Sequence, residues 1–150
     1  MGAGAEGQGE PTSAAARGVG KPIIAVFNSS SDTVELLRTV LEEQGFHTIV
    51  GHIPELKSGQ IDLIAYIEHH TPALIVYDVS PPYEANWNFL RLVRSSEHVK
   101  DRPFVITTTN KPALDKLVGE TEAIEIIGKP YDLQQVVDAV RSALAQTSDS

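Results

Sequence analysis

The feature that most constrains the fold is a recurrence of short apolar runs rich in β-branched residues, separated by longer amphipathic stretches. The runs are apolar throughout instead of alternating with polar residues, which is typical of strands covered on both faces. Five runs are predicted strands: Ile23–Phe27, Thr48–Ile53, Ala73–Tyr77, Phe104–Thr107 and Ala123–Ile127. The pattern therefore predicts an α/β fold in which helices cover a parallel sheet.

The stretches between the runs have the apolar spacing of helices. Asp32 is the predicted N-cap of the first helix, and Gly45 suits its C-terminus. Asn110 and Asp132 are the predicted N-caps of the fourth and fifth helices, which follow the last two strands. The second and third helices are predicted over residues 60–70 and 86–95.

Repeated strand–helix units with right-handed crossovers build a doubly wound sheet. We predict a single five-stranded parallel sheet of order 2-1-3-4-5 with five helices, of the flavodoxin-like or receiver type. Residues 21–146 form this domain in our interpretation, between a disordered Gly/Ala-rich tail at 1–20 and a short C-terminal tail at 147–150. In such a sheet, ligands gather at the carboxyl ends of the first and third strands.

Charge and composition exclude several functions. The formal net charge is −8 and Lys and Arg form no run, so we expect no direct contact with nucleic acid. Cysteine is absent, which excludes a disulfide framework and a thiolate metal site. No apolar run approaches the roughly 20 residues that span a bilayer, so we expect a cytoplasmic protein without membrane contact.

Polar residues that could bind a ligand or take part in a reaction follow the predicted strands. Asn28 and Ser29 follow the first strand, Asp78 the third, Thr107–Thr109 end the fourth, and Lys129 follows the fifth. Each alone has an ordinary interpretation, as a turn residue, a strand end or an exposed Lys-Pro turn. Their order and distances together are more informative, because all of them lie at the same edge of the predicted sheet.

That spacing resembles the receiver domain of response regulators in two-component signalling, over about residues 21–146. The motifs that carry the resemblance are the apolar run ending in an acid at Ile75–Asp78, Pro82, Thr108, Lys129–Tyr131, and Gly45–Phe46 after the first helix. The Asp-x-x-x-Pro and Lys-Pro elements are weak individually, and their combination is fairly specific.

The resemblance implies roles for these residues. In the family, the position of Asp78 accepts a phosphoryl group from a histidine kinase, as a carboxylate nucleophile. The position of Thr108 hydrogen-bonds the acquired phosphoryl group, and the position of Lys129 pairs with the Asp and then with the phosphate. The family also binds Mg²⁺ through this Asp, an acidic residue after the first strand, and a backbone carbonyl that corresponds to Ser80.

The chain departs from the family after the first strand, where an acidic pair is replaced by Asn28 and Ser29. With Asp78 and Lys129 alone, the formal charge of the site is zero. Removing one carboxylate about 4 Å from a dication forfeits gross attraction on the order of 8 kcal/mol at an effective dielectric of about 20, although net losses are far smaller. We therefore expect Mg²⁺ to bind weakly or not at all unless the Glu84 loop folds inward.

A second departure concerns aromatic residues. Many receivers carry a Tyr or Phe three residues before the Lys, where this chain has Ile126. We interpret Tyr131, which follows the Lys-Pro, as a packing residue. Trp87 lies near the rim, and we expect it to pack in the core or in a lid.

Three functions remain open. The first is a stand-alone degenerate receiver, not an enzyme, which signals through a kinase or another protein. We expect a partner to supply the output function, because no output domain follows Ser150. Its partner surface, and a possible homodimer contact, would be the helix 4–strand 5–helix 5 face. The second is an active phosphoacceptor modified on Asp78. The third is a flavodoxin-like cofactor binder using the Asn28–Thr33 loop, which lacks the glycine that lets a phosphate approach.

Overall fold

The computed structural model describes residues 21–59, 62–119 and 125–148. The predicted disordered tail at 1–20 and residues 149 and 150 lie outside these ranges, as does Ala123, where the last strand is predicted to begin. Within the described chain, no helix is both long and apolar enough to cross a membrane.

Five parallel strands form one sheet, and this confirms the predicted fold class. The strands are β1 (Ile23–Asn28), β2 (His47–His52), β3 (Leu74–Val79), β4 (Phe104–Thr108) and β5 (Glu125–Gly128). Their order is β2-β1-β3-β4-β5, as predicted. This order brings the carboxyl ends of β1, β3 and β4 side by side.

The described chain contains six helices, so the prediction of five is wrong. They are α1 (Ser31–Glu43), α2 (Ile53–Lys57), α3 (Leu63–His70), α4 (Tyr83–Arg94), α5 (Lys111–Val118) and α6 (Leu133–Ser148). The additional helix is α2, which begins at Ile53, a residue predicted to end the second strand. Pro54 lies in its first turn, where the fixed φ of proline favours a helix start, and Ile53 and Leu56 are buried.

The start of α1 also differs from the sequence prediction. Ser30, and not Asp32, is the N-cap, because its hydroxyl accepts a hydrogen bond from the backbone N–H of Thr33 at 3.2 Å. Asp32 lies in the first turn, where a carboxylate interacts favourably with the helix dipole. At the other end, Gly45 has a φ of +99°, which only glycine adopts readily. The predicted caps Asn110 and Asp132 do accept N–H bonds from the third residue of their helices.

Two apolar layers enclose the sheet, one on each face. The layer beneath α2–α5 contains Phe27, Tyr77 and the buried Trp87, whose predicted packing role agrees with its exposure of 2%. The layer beneath α1 and α6 contains Val26, Val76 and the inner face of α6. Among the described residues, the buried polar ones are Asn28, Asp78, Thr107 and Thr108. All four lie at the carboxyl ends of β1, β3 and β4. The buried polar residues therefore lie at the predicted site.

We expect Ser30→Ala to lower the free energy of unfolding by about 1 kcal/mol, because it removes the N-cap bond of α1. Asp32→Asn keeps that bond and should cost roughly 0.3–1 kcal/mol, through the helix dipole alone. Urea unfolding of the two variants measures the difference. A larger cost for Asp32→Asn would contradict the assignment of Ser30 as the cap.

Candidate functional site at the carboxyl ends of the central strands

The strand register places the buried polar residues next to one another. Asp78 on β3 is the registered partner of Thr107 on β4, so their side chains point to the same face of the sheet. Phe27 pairs with Tyr77, which puts Asn28 one step further along β1 beside Asp78. The sheet thus presents an amide, a carboxylate and a hydroxyl in a row.

The Asp78 carboxylate has two partners on one oxygen. The Thr107 hydroxyl donates to Oδ1 at 2.6 Å, and the Lys129 Nζ lies 3.2 Å from the same atom. The Asp78 side chain is 3% exposed and that of Lys129 is 29% exposed, so the pair joins a buried anion to a cation that still reaches water. The backbone N–H of Lys129 donates to the Thr108 carbonyl at 2.7 Å and fixes the start of the Lys-Pro turn.

Thr108, the residue predicted to contact the phosphoryl group, forms a hydrogen bond with the loop after β4. Its hydroxyl accepts from the backbone N–H of Asn110 at 3.4 Å, beyond the carboxyl end of β4. The hydroxyl that contacts Asp78 belongs to Thr107, because alternate residues of a strand point to opposite faces. Three consecutive threonines at Thr107–Thr109 hid this distinction in the sequence, and only the register with Asp78 reveals it.

Tyr131 is a partly buried packing residue. Its ring packs against the apolar layer beneath α1 and α6, as predicted. Burial, followed by the negative charge of Asp78, raises the pKa of Tyr131, while the neighbouring Thr107 hydroxyl opposes the shift. Ile126 packs against the opposite layer, on the other face of the sheet.

The loop after β1 has neutral residues at Asn28 and Ser29, and it contains a hydrogen bond between two of its own residues. The Asn28 side-chain oxygen accepts from the backbone N–H of Ser30 at 3.0 Å, a local turn that leads into the α1 cap. Ser29 is exposed. Asn28 is 2% exposed, so a carboxylate at this position would be a buried anion beside Asp78.

The loop after β3 is held by side chains of α4 and α2. The Ser80 carbonyl accepts from Asn86 Nδ2 at 2.6 Å, and the Asn86 side-chain oxygen accepts from Lys57 Nζ. Lys57 thus places a positive charge close to the loop that carries Ser80. Glu84 is exposed in the first turn of α4. In the described part of the chain, no three His, Asp or Glu side chains are grouped as a metal site would need.

Known proteins with similar sequences include a response regulator and a transcriptional regulatory protein. The chain is 26% identical over 117 residues to response regulator Rre1 of Synechocystis sp., covering 77% of this chain and 48% of that protein. It is 24% identical over 125 residues to the transcriptional regulatory protein CpxR of Escherichia coli, covering 83% of this chain and 50% of that protein. The chain therefore spans about half the length of these curated relatives. No protein-family model matches it.

Solved structures show the same fold. A sensor protein from Polaromonas sp. JS666 superimposes with a TM-score of 0.66 at 19% identity, covering 84% of this chain and 98% of that one. The Vibrio cholerae chemotaxis protein CheY4 superimposes with a TM-score of 0.63 at 18% identity, covering 82% of this chain and 98% of that one.

The sheet order and the superposed structures show a receiver-type fold, and the chain resembles response regulators in sequence. Domains of this class are signalling modules of two-component systems, and they interact with kinases and other signalling proteins.

The two halves of the Asp78–Lys129 pair should respond unequally to mutation. Lys129→Gln leaves a buried carboxylate without its cation, and we expect a loss of about 2–3 kcal/mol in the free energy of unfolding, below the 3–5 kcal/mol typical of fully buried pairs. Asp78→Asn should cost less, because its amide oxygen still accepts from Thr107 and the ammonium of Lys129 reaches water. Urea unfolding near neutral pH measures both.

The exposed pair between Lys111 and Asp115, 2.9 Å apart, provides the matched control. Lys111→Gln removes the same charge and should cost at most about 0.5 kcal/mol. Equal costs for Lys129→Gln and Lys111→Gln would mean that the buried position of Asp78 contributes nothing.

Proposed function

We propose that this domain is a degenerate receiver, which signals through protein contacts with weak or no Mg²⁺-dependent phosphorylation. The observation that carries the proposal is the charge balance of the site: one carboxylate, Asp78, is already paired with Lys129 and bonded by Thr107. The neutral Asn28 stands where the family has a carboxylate. An uncharged site offers little attraction to a dication that sheds its water reluctantly.

The remaining ligand positions also fit Mg²⁺ poorly. The Ser80 carbonyl accepts a hydrogen bond from the Asn86 amide. Lys57 donates to the side-chain oxygen of Asn86 and so brings a positive charge close to this carbonyl. Asn28 uses its side-chain oxygen for the turn to Ser30. Glu84 is exposed in α4, and we infer that it does not replace the missing acid. The residues present therefore do not fit the metal, and we derive no chemistry through it.

Signalling without phosphorylation requires a surface for partners. A groove of about 520 Å³ lies beside β5, between α5 and the start of α6, and its lining includes Thr109, Lys111, Ile126 and Lys129. This is the face named helix 4–strand 5–helix 5 in the family's numbering. We propose it as the contact for a kinase or another signalling protein, or for a second copy of the chain. We infer no catalytic activity of its own and no direct contact with nucleic acid.

An active phosphoacceptor is the alternative, and a specific observation favours it. The Thr107 hydroxyl and the Lys129 ammonium each lie within hydrogen-bond distance of the Asp78 carboxylate. In that case an Asp78 oxygen would bond to phosphorus while the bond to the kinase histidine breaks. A flavodoxin-like cofactor site has no comparable support, since Asn28 and Ser30 use their side chains within the loop.

The test is incubation with acetyl phosphate, with and without Mg²⁺, followed by intact mass measurement. We expect no stoichiometric phosphorylation under either condition. A gain of one phosphoryl group per chain that requires Mg²⁺ and is abolished by Asp78→Asn would overturn the proposal in favour of the active alternative.

A gain-of-function variant provides the matched positive control. Asn28→Asp with Ser29→Asp restores the acidic pair, and we expect it to bind Mg²⁺ more tightly than the parent protein does, by titration of amide chemical shifts around Asp78. The variant should also be less stable without the metal, because Asn28 is buried and an anion there lacks a partner. If the parent bound Mg²⁺ as tightly as this variant, the neutral loop would not be the cause of weak binding.

A further inference from the structure

A serine, a histidine and a glutamate meet at the surface where β1 and β2 end. Ser31 is the first residue of α1, His52 is the last residue of β2, and Glu55 lies in the first turn of α2. The Ser31 Oγ lies 3.0 Å from Nε2 of His52, and Nδ1 of the same ring lies 3.9 Å from Oε1 of Glu55. The roles given above to Asp78 and to the groove beside β5 use none of these three side chains.

The backbone fixes this meeting. β1 and β2 are paired in parallel with Asn28 opposite His52, so β2 ends beside the loop that leads into α1. Ser30 caps α1 with its own hydroxyl, which leaves the next hydroxyl, that of Ser31, outside the cap. His52 is the N-cap residue of α2, but its side chain makes no capping bond, and its ring contacts Ser31 instead. Three ordered elements therefore position the three side chains.

The charge of Glu55 determines which ring nitrogen of a neutral His52 carries the proton. A carboxylate 3.9 Å from Nδ1 attracts an N–H and repels a lone pair, so it favours the proton on Nδ1. Nε2 then has the lone pair and can only accept a hydrogen bond. The Ser31 hydroxyl therefore donates to Nε2, and the lone pairs of the serine oxygen stay available to another group.

This arrangement provides what a serine nucleophile needs. A serine hydroxyl reacts poorly unless a base within hydrogen-bond distance can take its proton, and that base is held in place by a third group. The site is also open to solvent. Ser31 is exposed, and the side chains of His52 and Glu55 are 39% and 45% exposed, so a dissolved reagent can reach the serine oxygen.

We propose that Ser31 is a reactive serine that accepts an acyl group from an activated ester, with His52 as its base and Glu55 as a positioning residue. The Ser31 oxygen forms a bond to the carbonyl carbon of the ester, and its proton passes to Nε2 of His52. The bond between that carbon and the alcohol oxygen of the ester then breaks, and the leaving alcohol takes the proton from His52. The product is one acyl-serine per chain.

This inference goes beyond the proposed function and does not use Asp78. It concerns one modification per chain and not turnover of a substrate, so it is consistent with a domain that signals through protein contacts. It places a covalent modification site at the start of α1, beside a receiver site whose own acidic loop is neutral.

The test is reaction with p-nitrophenyl acetate in the absence of phosphodonor and Mg²⁺, followed by intact mass measurement and peptide fragmentation that localises the acetyl group. We expect acetylation at Ser31 to be about tenfold or more faster than at Ser29. Ser29 is the matched control within the same molecule, because it is exposed in the same loop and has no hydrogen-bonded histidine among the described residues. Ser31→Ala should abolish the fast reaction and leave Ser29 unchanged.

Variants of the two supporting residues test their roles. His52→Gln can still hydrogen-bond Ser31 but cannot take its proton, and it should slow acetylation of Ser31 by about tenfold or more. Glu55→Gln should slow it by about threefold in the parent and have no effect in the His52→Gln background, because Glu55 acts through the ring. Glu35→Gln, which removes an exposed carboxylate paired with Arg38 on α1, should change neither rate.

Equal rates at Ser31 and Ser29, or a Ser31 rate that His52→Gln leaves unchanged, would overturn the proposal. An equal effect of Glu55→Gln in both backgrounds would mean that Glu55 acts on the local structure and not through His52. The comparison of the two serines is made within the parent protein, so it holds even where a His52 variant fails to fold. Because the experiment contains no phosphodonor or metal, its failure is distinct from a failure of the proposed function.

Discussion

The ion pair between Asp78 and Lys129 is the interaction on which the functional end of this domain depends. A carboxylate 3% exposed would be costly without a cation, and the Lys129 ammonium 3.2 Å away supplies one. The pair joins the end of β3 to the turn after β5, although β4 lies between these strands. Thr107 on β4 completes the link with its short bond to the same carboxylate oxygen.

The loops around this pair add no negative charge to it through Asn28 or Ser80. The loop after β1 carries a neutral amide that turns back to its own backbone. The loop after β3 is held by Asn86 and Lys57, which place a donor and a positive charge near the Ser80 carbonyl. The charged groups linked to Asp78 and, through Asn86, to Ser80 are thus lysines, which is the physical basis for proposing a receiver with little affinity for a dication.

Sequence patterns predicted the fold well because those patterns are local. Fully apolar runs identify strands buried on both faces, and Asn110 and Asp132 identify helix starts through a spacing of three residues. The errors were local as well. Ser30 and Asp32 are both suitable cap residues, and the structure uses Ser30 for α1. Ile53 is predicted to end a strand, but with Pro54 it begins the short helix α2.

The sequence alone predicted the strand order, the presence of one acid and one lysine at the carboxyl ends, and the neutral residues Asn28 and Ser29 after the first strand. Only the tertiary structure decided which threonine contacts Asp78. The reason is register: a shift of one residue along β4 exchanges Thr107 for Thr108 at the carboxylate.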